Sequence, residues 1–201
     1  MAPQGESRIG VYPGSFNPLT TAHLAIVAAA RRAHRLDRVD LVVSRSALAK
    51  QDVDHPRFHH RIDVLRLAVV DVPWLGLQVT EQQLLADIAD GYHLLIVGAD
   101  KWWQIQDPVW YGGDHGARDS AIAALPPVAI APRHGLETPA ERTLGVDPEL
   151  IGDVSSTAAR SGRKELMVPA AREFAERTGA WIDPDRYERW ARTQAEPGDR
   201  T

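Results

Sequence analysis

Thr20 and His23 stand three residues apart, a spacing that brings a hydroxyl and an imidazole to one face of a helix. Just before them, Pro13-Gly14-Ser15 is strong turn chemistry after the short β-prone run Ile9 to Tyr12. A tight turn offers backbone N–H groups, and a helix N-terminus adds a positive dipole end aimed the same way. The stretch from Arg8 to His23 therefore has the parts of a phosphate site. It is neither a GxGxxG fingerprint nor a P-loop, since GxxxxGK[ST] occurs nowhere in the chain. Three more polar clusters follow apolar runs: Gly98-Ala99-Asp100, Pro132-Arg133-His134-Gly135, and Ser155-Ser156-Thr157 leading to Arg160. Taken singly, each residue also has a plainer role. His23 and Asp100 can cap helices, Lys50 can be a solvated loop lysine, and Arg160 a surface arginine.

The elements that must position these groups alternate along the chain. Strands are expected at Ile9 to Tyr12, Val39 to Val43, Leu75 to Val79, Leu94 to Val97 and Val128 to Ala131, with a short one at Ile151 to Val154. The run VDLVV is almost continuously apolar, as strands covered on both faces are. Helices are expected from an N-cap at Thr20 or Thr21 to His34, over Arg57 to Val70, Glu81 to Ala89, Ser155 to Arg160, Pro169 to Thr178 and Asp185 to Arg192. The stretch from Asp107 to Ala117, rich in Pro, Gly and aromatics, reads as a loop, and Leu136 to Leu150 as a connection. This order predicts an α/β fold: a Rossmann-like open, mostly parallel sheet with helices on both faces and a small C-terminal helical segment. In such folds ligands bind outside the carboxyl ends of the strands, where strand order reverses, so the four clusters should converge on one crevice.

Composition bounds the rest. A chain of 201 residues is long enough for one domain, expected over residues 1–193 with a flexible tail at 194–201. No cysteine is present, which removes disulfides, thiolate metal sites and cysteine nucleophiles together. The net charge of -4 argues against a general nucleic-acid surface while allowing a local basic pocket for a small anion. Met1 is followed by polar residues without a basic-then-apolar leader, and no apolar run reaches bilayer length. The expectation is therefore a cytoplasmic protein with small-molecule partners and no membrane contact; a homo-oligomer is compatible with the sequence.

The combination of motifs carries a resemblance. GSFNPLTTAH resembles the G-[ST]-F-[DN]-P-x-[HT]-x-G-H signature of the cytidylyltransferase-like nucleotidyltransferases, and VSSTAAR resembles their second signature, ISSTxIR. Within that superfamily VGADKWWQIQDPVWY is similar to the GADxLxxxxxW segment of bacterial nicotinate mononucleotide adenylyltransferases. LVVSRSALAK is similar to their strand and PPHK loop, AIAPRHG to their strand and RPG turn, and VPAAREFAERTGAW to their closing helix. The resemblance covers Arg8 to Trp181. It implies a Rossmann-like fold and transfer of AMP from ATP to nicotinate or nicotinamide mononucleotide with release of pyrophosphate, in NAD biosynthesis.

Carried onto this sequence, the resemblance implies that His23 stabilises charge at the α-phosphate, with Thr20 in place of the family's first His. It implies that Lys50 meets the phosphates from a loop, and that Ser155, Ser156, Thr157 and Arg160 bind the triphosphate. Gly14, Ser15 and Phe16 join the ATP-binding set, and Gly98 with Asp100 would hold a ribose. Trp110 would stack on the pyridine ring, with Trp102 or Trp103 as competitors, and Arg133 would lie along the mononucleotide. Mg²⁺ would ride mainly on the ATP phosphates, with no dedicated protein metal site. Ala22 stands where the family has Gly, and Ala49 where it has His. These departures keep open a related enzyme acting on phosphopantetheine or a phosphorylated alcohol, or a nucleotide-binding protein without turnover.

Overall fold

Alternation along the strands decides which side of the sheet each apolar residue serves. The computed structural model describes residues 7–45, 55–152 and 154–194. Five strands, β1 (Ile9–Pro13), β2 (Arg38–Ser44), β3 (Leu75–Thr80), β4 (Leu94–Gly98) and β5 (Val128–Ala131), pair in parallel in the order β3-β2-β1-β4-β5. Tyr12, Leu41, Ile96 and Ala129 enter one apolar cluster, and Val11, Val42, Leu95 and Ile130 enter another. Both faces of the sheet are thus covered, and the expectation of an α/β open sheet is met, with every pairing parallel.

The first cluster is closed by α1 (Thr21–His34), α2 (Phe58–Val69) and α8 (Pro169–Thr178), which supply Val27, Leu65 and Phe174. The second is closed by α3 (Leu85–Ala89) and α4 (Ala99–Gln106), through Ile88, Trp102 and Ile105. Strand order turns back between β1 and β4, so the carboxyl ends of these two neighbours open onto the crevice that such a reversal creates. No helix among the described residues is long and apolar enough to cross a membrane.

Several expected elements are corrected. The strand expected at Ile151 to Val154 is not one: Pro148–Ile151 is a helical turn, α6. Asp147 caps it by accepting from Glu149 N–H, and Pro148 at the first helical position outweighs the apolar pattern. Strand-like pairing comes earlier instead, where Thr143 bridges Ile130 and Leu144 N–H donates to the Ile130 carbonyl. The loop expected over Asp107 to Ala117 holds a 3₁₀ turn, Pro108–Tyr111, and the start of α5 (His115–Ala123). Asp107 and Asp114 cap these two elements. In α2, Leu67 is exposed and Arg61 buried, the reverse of their polarity. Phe58, Ile62, Leu65 and Val69 define the packed face, and Leu67 falls off it. The last helices are α7 (Ser156–Arg160), α8 and α9 (Pro184–Gln194).

α9 closes over α2 and α8 through aromatic packing. Tyr187 is fully buried, and its hydroxyl accepts from Arg57 N–H and bonds His60 Nδ1 at 2.7 Å. The His60 ring also lies against Phe174 and Trp190. Burial, reinforced by His59 and Arg57, holds the His60 pKa below its ordinary value of 6.5, while Asp63 opposes the shift. The unfolded chain therefore takes up this proton at a higher pH than the folded one. His60 contributes stability above pH 6.5 that is lost as pH falls below it. His34, lowered by burial and Arg8, acts in the same direction. Urea unfolding at a series of pH values should show stability falling on acidification below that point, with a shallower fall in His60→Gln.

Candidate functional site

The β1–α1 turn is the wall from which the site is built. Gly14 N–H donates to the Val42 carbonyl, anchoring the turn to β2. Phe16 then adopts a left-handed backbone (φ 41°), a strained conformation for an aromatic residue. Its ring packs edge-on to Tyr12 and His23, at centroid distances of 5.6 and 5.3 Å. A β-carbon added to Gly14 would run into the Phe16 ring at 2.8 Å, so the close approach of the turn needs glycine there.

Thr20 is the N-cap of α1, and with His23 it forms a reciprocal capping box. Thr20 N–H donates to His23 Nδ1 at 2.9 Å, and the Thr20 hydroxyl lies 2.8 Å from the same nitrogen. A ring that accepts at Nδ1 carries its proton on Nε2 when neutral, so this cap selects the tautomer that offers an Nε2–H. The cap thereby fixes which ring nitrogen His23 can present as a donor.

The other half of the wall comes from 140 residues further along. The Arg160 guanidinium donates to the Asn17 carbonyl at 2.6 Å and to the Thr157 hydroxyl at 3.2 Å. The Ser156 hydroxyl donates to the Pro18 carbonyl at 2.8 Å, and Val168 N–H to the Leu19 carbonyl. Trp181, after α8, donates its indole N–H to the buried Asn17 side-chain oxygen at 2.5 Å. Ser155 caps α7 by accepting from Ala158 N–H. All three carbonyls from Asn17 to Leu19 are held by this C-terminal strip.

Between β4 and β5, Asp100 and Arg133 form an ion pair at 3.3 Å, half-exposed at the mouth of the site. A β-carbon on Gly98 would lie 2.6 Å from the Asp100 carboxylate, so glycine leaves that carboxylate its place. Burial pushes the Tyr12 phenol far above its ordinary value, with the Asp100 carboxylate adding to the shift, so Tyr12 stays a neutral wall residue.

The polar clusters meet at one cavity of about 550 Å³. Gly14, Ser15, Phe16 and His23 line it from the first cluster, and Gly98, Asp100 and Trp110 from the second. Arg133, Ser155, Ser156, Thr157 and Arg160 complete the convergence that the sequence predicts. Thr20 stands behind His23 rather than in the lining, fully buried. Trp102 is core, with the Arg142 guanidinium over its ring, and Trp103 turns to the Glu137 carbonyl instead of the cavity. Adjacent residues on a helix must diverge in this way. Lys50 and Ala49 lie outside the described residues.

A family model described as cytidylyltransferase-like matches residues 11–160. The chain belongs to the cytidylyltransferase-like family. It is similar to proteins named probable nicotinate-nucleotide adenylyltransferase in several bacteria. The relative from Geobacter sp. (strain M21) is 27% identical over 221 residues, covering 93% of this chain and 96% of the relative. That from Gluconobacter oxydans is 32% identical over 186 residues, covering 87% and 85%. A shorter match, 33% identical over 110 residues, covers 47% of this chain and 50% of the relative from Citrifermentans bemidjiense. The protein is accordingly a nucleotidyltransferase.

In this nucleotidyltransferase Ala22 lines the cavity from the first turn of α1. Its backbone is helical, so the methyl costs no strain and acts only by its bulk in the wall. Sequence reasoning missed Asn17, Tyr12, Trp181 and Arg61. The first two lie inside or beside the motif, whereas Trp181 and Arg61 read as ordinary core and helix-surface residues. Trp181→Phe keeps most of the ring but leaves the buried Asn17 oxygen unpaired, which costs about 1–3 kcal/mol. Urea denaturation should register that loss, together with weakened nucleotide binding from the loosened turn.

Proposed function

We propose that the chain transfers AMP from ATP to nicotinate or nicotinamide mononucleotide, releasing pyrophosphate, as a step of NAD biosynthesis. The observation that carries this reading is the convergence on one cavity of an imidazole donor, Arg160, the Asp100–Arg133 pair and the half-exposed Trp110. The bacterial relatives, named as probable nicotinate-nucleotide adenylyltransferases, support a nicotinate mononucleotide acceptor.

In this reading a phosphate oxygen of the mononucleotide attacks the α-phosphorus of ATP in line. The new P–O bond forms as the bond to the β-phosphate oxygen breaks, and pyrophosphate leaves with the electron pair. His23, held as its Nε2–H tautomer by the Thr20 cap, donates to an α-phosphate oxygen and stabilises the charge that builds there. Arg160 and the Ser155 to Thr157 turn meet the departing phosphates, while Gly98 and Asp100 hold a ribose hydroxyl. Trp110 offers its face to the pyridine ring and Arg133 lies along the mononucleotide; Gly14, Ser15 and Phe16 shape the ATP side. Lys50 would approach the phosphates from its loop. No covalent enzyme intermediate is required, so positioning and charge stabilisation do the work.

Mg²⁺ fits this site as a passenger of ATP. The described residues contain no group of three or more His, Asp or Glu side chains able to hold a metal. The ion would neutralise triphosphate charge while bound to phosphate oxygens and water.

The test supplies ATP and Mg²⁺ with nicotinate mononucleotide, nicotinamide mononucleotide or phosphopantetheine in separate reactions and measures pyrophosphate. Release with a pyridine mononucleotide is expected; release only with phosphopantetheine, or none at all, overturns the reading. His23→Ala should lower turnover by about 100-fold or more, the scale for losing a donor to transition-state charge.

A further inference from the structure

Arg61, in α2, is a charged residue buried in the wrong company for a structural role. It is only 8% exposed and lines the cavity. Its guanidinium lies 5.5 Å from the Phe58 ring and reaches the Ser15 carbonyl at 3.4 Å, a long contact. Its Nε has no hydrogen-bond partner among the described residues. The one acid of α2, Asp63, is turned outward and bound to Arg66. Three other arginines around it have acid partners: Arg45 pairs with Glu81, Arg57 with Glu188 and Arg133 with Asp100. Burying an unpaired guanidinium is expensive, and burial accordingly pulls the Arg61 pKa below its ordinary value.

Among the described arginines that line the cavity, two lack a carboxylate partner, Arg61 and Arg160. They reach the same turn from different elements, Arg61 at the Ser15 carbonyl and Arg160 at the Asn17 carbonyl, on either side of Phe16. Transfer between two phosphates has to bring two polyanions together against their mutual repulsion, with nucleophile and leaving group in line on opposite sides of the reacting phosphorus. These two arginines without a carboxylate partner, held at carbonyls two residues apart in this turn, supply positive charge for both phosphates.

Building on the functional reading above, we propose that Arg61 binds the phosphomonoester of the acceptor mononucleotide, the attacking group, while Arg160 serves the pyrophosphate end. The counter-charge missing from the fold is supplied by the substrate. Removing Arg61 therefore weakens phosphate recognition without weakening the ligand-free protein.

Calorimetric titration of wild type, Arg61→Met and Arg61→Lys with nicotinate mononucleotide, its riboside lacking the phosphate, and ATP with Mg²⁺ tests this. Mononucleotide affinity should fall about 10- to 100-fold in Arg61→Met, the range for a lost charge-assisted hydrogen bond, with Arg61→Lys in between. Riboside and ATP affinities should hold. The thermal midpoint of ligand-free Arg61→Met should match or exceed wild type, which a structural arginine would not allow. Unchanged mononucleotide affinity, an equal loss for riboside or ATP, or a failure of both variants to fold overturns the proposal. Failure of the wild type to bind the mononucleotide would instead overturn the functional reading, and this proposal with it.

Discussion

The site depends on the clamp between the turn after β1 and the strip from Ser155 to Trp181. Asn17, Pro18 and Leu19 present carbonyls that no helix or strand satisfies, and the strip supplies a guanidinium, a hydroxyl and a backbone N–H for them. A buried carbonyl left unpaired is costly, so the turn keeps its shape only while the C-terminal strip is docked. Trp181 extends the clamp to the Asn17 side chain and ties it to α8 and the aromatic packing beneath α9. Docking of the C-terminal strip and the shape of the cavity wall are thus coupled.

That coupling gives the same residues a place in both the packing of the turn and the wall of the cavity. Ser155 caps α7, Ser156 holds Pro18, and His23 completes the cap of α1, yet all three line the cavity. Preorganisation follows directly. A donor already fixed by the fold needs no rearrangement when charge develops on a phosphate, and that is the source of its catalytic value. The strained backbone of Phe16 belongs to the same design, since it wedges its ring between Tyr12 and His23 at the base of the site.

Electrostatically the cavity is selective in what it leaves unmatched. Asp100 and Arg133 answer each other at the mouth, whereas Arg61 and Arg160 have no carboxylate partner among the described residues: Arg61 meets the Ser15 carbonyl, and Arg160 the Asn17 carbonyl and the Thr157 hydroxyl. A chain of net charge -4 thereby keeps these two arginines without a carboxylate partner on the cavity wall.

The sequence by itself determined the alternation of strands and helices, the five sheet strands, the three clusters that follow β1, β4 and β5, and the cluster from Ser155 to Arg160, because periodicity and turn chemistry are local properties. It misjudged Ile151 to Val154 and the stretch after Asp107, where aspartate caps and proline outweighed the apolar pattern. Only the tertiary structure decided that Trp110 rather than Trp103 lines the cavity, that Thr20 works from behind His23, and that Arg61 is buried. These depend on which helix face meets the sheet, and on contacts across more than a hundred residues for the clamp itself. No local pattern encodes such pairings; they exist once strand order brings the carboxyl ends of β1 and β4 side by side.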